Sequence, residues 1–382
     1  MSFFLDLDPP RLGVITTTVI ATTLAITLLK RALWPTQPKI IPSPLNTVLP
    51  KLPRENFDQL EYKPDAFPGA RDVETPYGSI RVYEWGPEDG PKILFIHGIS
   101  TSSMTLGKLA HALVNKKGCR VMLFDLFGRG FSDGVGDLPH DARLYTTQAL
   151  LALASSPLSW TGTSAFKLVG YSLGGGIAVH FAGAFPHLVS SLVLLAPAGL
   201  IRPESFGVAT RFVFTAGLVP ERLLAAITKR RLQVPIAASA RRNGSADTIK
   251  DPVSASLTEA ADPKPEEGEE ATPLEKRVLR YVHWMLNNHP GFVPAFMSCI
   301  RDAPLVGQEN AWRKLALREK GSTFVILAKS DEIIDPEEYA ADAFPLIGGP
   351  EQVRWTLVPG GHDFPMTHPE ETLKEIYGAW GM

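Results

Sequence analysis

The segment Phe166-Lys-Leu-Val-Gly-Tyr-Ser172-Leu-Gly-Gly-Gly176 constrains this chain more than any other. An apolar run ends at Gly170, a serine follows two residues later, and the helical pattern Ile177-Ala-Val-His-Phe-Ala182 comes after Gly174. The order is strand, tight turn, helix. Such a turn strains its central residue, and side chains at Gly170 or Gly174 would collide with the neighbouring strand or helix. The Ser172 hydroxyl is therefore expected to stand above a sheet, beside a helix N-terminus whose N–H groups can hold developing negative charge. A glycine-rich turn with an incidental serine is the plainer alternative; the flanking strand and helix favour a nucleophile.

The surrounding pattern agrees with a doubly wound sheet. Ser79–Trp85 alternates as a half-exposed strand, whereas 92–96, 120–124, 166–169 and 191–195 are largely apolar, as buried parallel strands are. Helical stretches near 104–115, 142–155 and 173–185 separate them. Alternating strands and helices of this length predict a mostly parallel α/β sheet. The alternation stops over 201–312, where helical segments near 206–218, 220–232, 274–287 and 293–300 flank a low-complexity stretch at 239–273. That stretch lacks the apolar content to order itself and is expected to be a flexible loop. Strand patterns resume at 322–327 and 353–358, and 370–380 closes the chain as a helix. The expected organisation is a tail at 1–11, an anchor helix at 12–34, a Pro-rich extended tether at 35–60, a first core part at 61–200, a helical cap at 201–312 and a second core part at 313–382.

With 382 residues and 45% hydrophobic content, the chain can bury a large core. A net charge of −2 supplies no basic field for nucleic acid, which is not an expected partner. Two distant cysteines, Cys119 and Cys299, exclude a disulfide framework and a cysteine-based zinc site. No metal or organic cofactor is expected.

Leu12 to Leu29 carries no charge, and Lys30-Arg31 closes the run. Its length approaches the ~20 residues that span a bilayer. Its six threonines lower its hydrophobicity, but their hydroxyls can bond back to the helix. A signal peptide would want a basic start and an Ala-x-Ala site; here Asp6 and Asp8 oppose Arg11 and no such site follows. The reading adopted is an uncleaved membrane anchor. A signal peptide and an amphipathic surface or organelle-targeting helix remain the alternatives. Lys30, Arg31 and Lys39 favour a cytosolic catalytic part, the sequon Asn243-Gly-Ser245 pulls the other way, and orientation stays open.

Further candidate residues lie at strand ends, where open α/β sheets place their chemistry. His97-Gly98-Ile99 follows the run 92–96. Gly98 lets the backbone turn, so the N–H groups of Ile99 and Leu173 are expected to form an oxyanion hole, with His97 in a structural role. Asp331 lies one turn beyond 323–327 and is the expected partner of a histidine. Asp335 before Pro336 reads as a helix cap, and Glu332 is expected to point elsewhere. Gly360-Gly361 lets the last loop carry His362 towards Ser172 as general base. His368 reads as the start of the last helix.

Taken together, His97-Gly98, Asp125-Leu-Phe-Gly-Arg-Gly-Phe-Ser-Asp133, Gly170-Tyr-Ser172-Leu-Gly174, Asp331 and Gly361-His362 resemble the α/β-hydrolase superfamily over roughly 75–200 and 320–382. The resemblance implies an eight-stranded, mostly parallel sheet with helices on both faces and an inserted cap. In it, 125–133 is a structural turn. Members that act as epoxide hydrolases or dehalogenases carry aspartate where this chain has Ser172, so the resemblance points instead to ester, thioester or amide hydrolysis. The expected activity is hydrolysis of lipophilic carboxylic esters at a membrane. Carbon–carbon bond hydrolysis, perhydrolysis, acyl transfer and a non-enzymatic ligand-binding or scaffold role are the alternatives, and oligomeric state stays open.

Overall fold

The computed structural model describes residues 9–33, 37–161, 165–202, 214, 219–233 and 273–382. Nearly all of the expected loop at 239–273, most of the helix expected at 206–218, the sequon and Trp34 lie outside the described residues. We number the main-sheet strands β1 (Arg71–Val73), β2 (Ile80–Trp85), β3 (Lys92–Ile96), β4 (Arg120–Phe124), β5 (Phe166–Tyr171), β6 (Val189–Leu195), β7 (Thr323–Ala328) and β8 (Arg354–Val358). The longer helices are α1 (Pro9–Leu33), α2 (Gly107–Lys117), α3 (Ala142–Ala154), α4 (Leu173–Ala184), α5 (Glu221–Gln233), α6 (Pro273–Asn288), α7 (Phe292–Asp302), α8 (Pro336–Ile347) and α9 (Pro369–Trp380).

The eight strands run in the order β1-β2-β4-β3-β5-β6-β7-β8. β2 is antiparallel to both its neighbours, and every other pair is parallel. From β3 the chain steps towards β1 through α2; from β5 it steps the opposite way through α4. Right-handed crossovers in opposite directions put these two helices on opposite faces. Accordingly α2 packs with α9, and α3 with α4. The reversal falls between β3 and β5, which are paired neighbours. A crevice therefore opens at their carboxyl ends, where an α/β sheet has room for chemistry.

Two expectations are corrected. β2 is buried along its whole length rather than half-exposed. Its polar residues are inside because they are paired: Glu84 lies 2.9 Å from Arg71 and 3.1 Å from Arg120, and Arg81 lies 2.8 Å from Asp72. The described part of the segment expected as an extended tether is docked on the domain. Ile40–Ile41 forms an antiparallel ribbon with Gly134–Val135, and the Ser43 N–H donates to Asp133 Oδ1 at 2.7 Å. Asp133 also accepts from the Ser79 N–H at 2.9 Å, so a single buried carboxylate staples the arm to the entrance of β2.

α1 stands apart from the core. It is long and apolar enough to cross a membrane: within Gly13–Leu33 its most apolar window has a mean hydropathy of 1.6 and no buried residue. Thr17, Thr18 and Thr27 each donate to the carbonyl four residues earlier at 2.7–2.9 Å. Their hydroxyls are thus satisfied within the helix.

Between β6 and β7, the regular elements among the described residues are all helices. α6 and α7 sit on the loop after β4. The Gly130 N–H meets Met285 Sδ at 3.2 Å, His289 Nε2–H donates to Ser132 O at 3.0 Å, and Tyr281 packs edge-on against Tyr62.

Candidate active site

Ser172 links β5 to α4 with φ 54° and ψ −119°, a conformation that costs a non-glycine residue energy. Packing holds the turn in place. A Cβ at Gly170 would lie 2.3 Å from Gly174 O, and one at Gly174 would lie 2.1 Å from Ile96 O. The two glycines let α4 press against β5 and β3 so closely that the strained serine has no way to relax. Its backbone is also tied down: the Ser172 N–H donates to Leu195 O, and Ser172 O accepts from the Gly175 and Ala198 N–H groups, all at 2.8–2.9 Å.

His362 Nε2 lies 3.1 Å from Ser172 Oγ. On its other side Nδ1 lies 2.9 Å from Asp331 Oδ2 and 3.1 Å from Oδ1. The imidazole and the carboxylate are buried, with side chains 1% and 0% exposed. Residues 190 positions apart thus form one hydrogen-bonded relay. Asp331 is fixed by its own turn, where Oδ1 accepts the Ile333 and Ile334 N–H groups at 2.9 Å. Asp335 instead caps α8 through the Glu337 and Glu338 N–H groups.

Glu332 does not point elsewhere as expected. Its Oε2 accepts the His362 backbone N–H at 3.1 Å, and Tyr171 OH donates to His362 O at 3.1 Å. The histidine loop is therefore gripped at both backbone atoms of His362. Burial, and then the charge of Asp331, push the Glu332 carboxyl up from its ordinary value. Sequence order gives no signal for this contact, because it depends on how the β8 loop folds back over the β7 loop.

The loop after β3 approaches the serine closely: a Cβ at Gly98 would lie 3.5 Å from Ser172 Cβ. His97 bridges this loop to the one after β4. Its Nδ1–H donates to Gly98 O at 2.8 Å, and its Nε2 accepts the Leu126 N–H at 2.9 Å. Burial pushes His97 down to about 3, which keeps the ring neutral, as these two bonds require. Holding Gly98 O fixes the peptide plane whose other end is the Ile99 N–H, which must point away from His97. Leu173 occupies the first position of α4, where the N–H has no acceptor within the helix.

The loop 125–133 supports this arrangement through two buried groups. Asp125 accepts from the Ser103 and Phe131 N–H groups at 2.9 and 3.0 Å and from Tyr62 OH at 3.1 Å. Arg129 is fully buried and donates to Ile99 O and Phe127 O, both at 2.9 Å, and to Tyr145 OH at 3.1 Å; its remaining nitrogen lies 3.3 Å from Cys299 Sγ on α7. The sequence marked this loop as a turn but gave no sign that Arg129 joins the Ile99 loop to the cap. Among the described residues no cluster of histidine, cysteine and acidic side chains could hold a metal ion.

Comparison with known proteins agrees with this architecture. Residues 91–369 match the family model of the alpha/beta hydrolase fold. A serine hydrolase-like protein of Danio rerio is 30% identical over 132 residues, 35% of this chain and 39% of that protein. Lipase LipV of Mycobacterium tuberculosis is 34% identical over 119 residues, 31% of this chain and 42% of the lipase. The chain thus spans less than half the length of these curated relatives. A solved structure of a membrane phospholipase A superposes with a TM-score of 0.57 at 17% identity, covering 97% of this chain and 98% of that one, a likeness of fold.

Proposed function

The chain belongs to the alpha/beta hydrolase fold family, and on that premise we propose that it is a membrane-anchored serine hydrolase that cleaves lipophilic carboxylic esters through an acyl-enzyme on Ser172. The observation that carries this reading is the Ser172–His362–Asp331 relay, with contacts of 3.1 and 2.9 Å at a strained turn. In the proposed first step, His362 Nε2 takes the Oγ proton while Oγ bonds to the ester carbonyl carbon. The carbonyl electrons move onto oxygen, and the Ile99 and Leu173 N–H groups donate hydrogen bonds to that oxyanion. Asp331 accepts from Nδ1–H and stabilises the imidazolium. The carbonyl then re-forms, and the bond to the alcohol breaks as Nε2–H protonates the leaving oxygen. Water, deprotonated by the same nitrogen, adds to the acyl carbon; the acyl–Oγ bond then breaks, releasing the acid as Nε2–H returns the proton to Oγ.

The preference for lipophilic esters is supported by the apolar α1, read here as the anchor. Each methylene buried in an acyl pocket is worth about 0.8 kcal/mol, so kcat/KM should rise about fourfold per carbon until the pocket is filled. The reading is tested with a fluorophosphonate probe on the full chain. Ser172 should be labelled stoichiometrically, and Ser172→Ala should abolish labelling. An unlabelled wild-type protein that is folded by circular dichroism would favour a ligand-binding role on this fold.

A further inference from the structure

Outside α1, the exposed large apolar side chains among the described residues are Ile40, Leu138, Leu223, Ile227, Leu317 and Leu357. The first four gather on one edge of the molecule. Leu138 shares a 340 Å³ cavity with Gln37, Val135, Arg222 and Ala225. Ile40 pairs with Val135 in the ribbon, and Leu223 and Ile227 lie beside Arg222 and Ala225 on α5.

α5 itself presents a defined stripe. Leu224, Thr228 and Leu232 are buried, while residues 222, 223, 226, 227, 230 and 231 are exposed. That stripe holds Leu223 and Ile227, 52% and 46% exposed, together with Arg222, Arg230 and Arg231. The acidic residue of the helix, Glu221, is occupied by Arg301 at 2.8 Å. No salt bridge engages Arg222, Lys229, Arg230 or Arg231 among the described residues, and Asp137 is an exposed carboxylate at the margin of the stripe. Exposed leucine and isoleucine set among unpaired arginines is the composition of a helix lying in a lipid interface.

The place of this edge in the chain names the occupant. α1 touches α5, and α1 ends in Lys30 and Arg31. Three residues separate Leu33 from Gln37, which lines the cavity beside Arg222. Four peptide steps reach at most about 14 Å. If α1 spans a bilayer, the α5 edge cannot move far from the headgroups at its end.

We propose that α5 and the loop 136–139 dock flat on the anionic phospholipid surface of the bilayer that α1 enters, seating the cap against lipid. The proposal rests on the reading of α1 as an anchor. Leu223, Ile227 and Leu138 enter the boundary between headgroups and acyl chains, and Arg222, Arg230 and Arg231 meet the headgroup phosphates.

The test uses the full chain reconstituted in vesicles of phosphatidylcholine, with or without phosphatidylserine. A fluorophore is placed at Ile227→Cys or, as a control, at Leu317→Cys; Cys119 and Cys299 are buried and stay unlabelled. Flotation with the vesicles reads the anchor, and quenching by brominated lipid reads docking. The expected result is flotation of both proteins, with quenching several-fold stronger at 227 than at 317, weakened by salt or by omitting phosphatidylserine. Arg222→Glu/Arg230→Glu/Arg231→Glu should still float and keep its turnover of a short soluble ester. It should lose both the quenching and, several-fold, the hydrolysis of an ester dissolved in the vesicles. Flotation with equal, weak quenching at both positions would overturn the docked surface while leaving the anchor in place. Failure to float would overturn the anchor and the docking together, whatever the serine does with soluble esters.

Discussion

The crevice between β3 and β5 and the edge around α5 are built by opposite rules. At the crevice, backbone approaches backbone so closely that glycine is required: a Cβ at Gly174 would sit 2.1 Å from Ile96 O. The buried side chains of His97, Asp125 and Arg129 there are all bonded to backbone. On the exposed stripe of α5, leucine and isoleucine stand beside arginines that no salt bridge engages among the described residues. The first region is complete within the chain, and its precision serves chemistry. In the proposed docking the second is completed by a lipid surface, and its composition serves placement. Substitutions should therefore damage the crevice through stability or turnover, and the edge through neither when the assay is soluble.

The largest effect is expected at Asp331. Asp331→Asn keeps an acceptor for the Ile333 and Ile334 N–H groups but no longer stabilises the imidazolium, and turnover should fall about 10⁴-fold. Asp335→Asn, at a helix cap on the same turn, should leave turnover within twofold of wild type. Equal losses in the two variants, measured with one soluble ester, would break the distinction between relay and scaffold.

Acid should unfold the protein through buried histidines, His97 at the crevice, His140 beside the edge cavity and His289 after α6. Burial pushes His97, His140 and His289 each from 6.5 down to about 3, so they are neutral in the folded state and bind protons on unfolding. Stability held above pH 6.5 is then lost as pH falls towards 3. One unit below 6.5 the loss is on the order of 1 kcal/mol for each histidine, a few kcal/mol together. Asp125, whose carboxyl burial pushes up, acts in the opposite sense and flattens the slope. Urea titrations between pH 7 and 4 should show uptake of two to three protons on unfolding, and a flat profile would contradict the neutral assignment.

Gly174→Ala should cost about 1–3 kcal/mol by overpacking, with loss of turnover as the serine is displaced. The smallest effect is expected at Ile227→Ser, on the exposed stripe. It should change stability by less than about 0.5 kcal/mol and leave soluble-ester turnover unchanged. A loss as large as that of Gly174→Ala would mean that the edge belongs to the core after all.

The sequence made the crevice far more legible than the edge, and for physical reasons. Ser172, Asp331 and His362 follow strand-like runs, and glycine spacing or turn chemistry marks each one. The structure places all three in a single relay. Arg71–Val73 and the ribbon at Ile40–Ile41 went unread because strands of two or three residues carry no periodicity. The segment around Ser43 looked like a tether because its attachment, the Asp133 carboxylate, lies 90 residues away. β2 read as half-exposed because hydropathy cannot tell a solvated glutamate from Glu84 held by two arginines. Glu332 and Arg129 were missed because each acts through backbone atoms of another loop. The α5 stripe became visible only once burial separated 224, 228 and 232 from their neighbours.

The central claim is that Ser172 carries the acyl group, and pre-steady-state hydrolysis of a p-nitrophenyl ester by the full chain tests it most directly. The account predicts a burst of one p-nitrophenol per protein molecule, with acid-quenched protein carrying the acyl mass on the peptide that contains Ser172. Steady hydrolysis with no burst, and with acyl mass absent from that peptide or found on another residue, would contradict it.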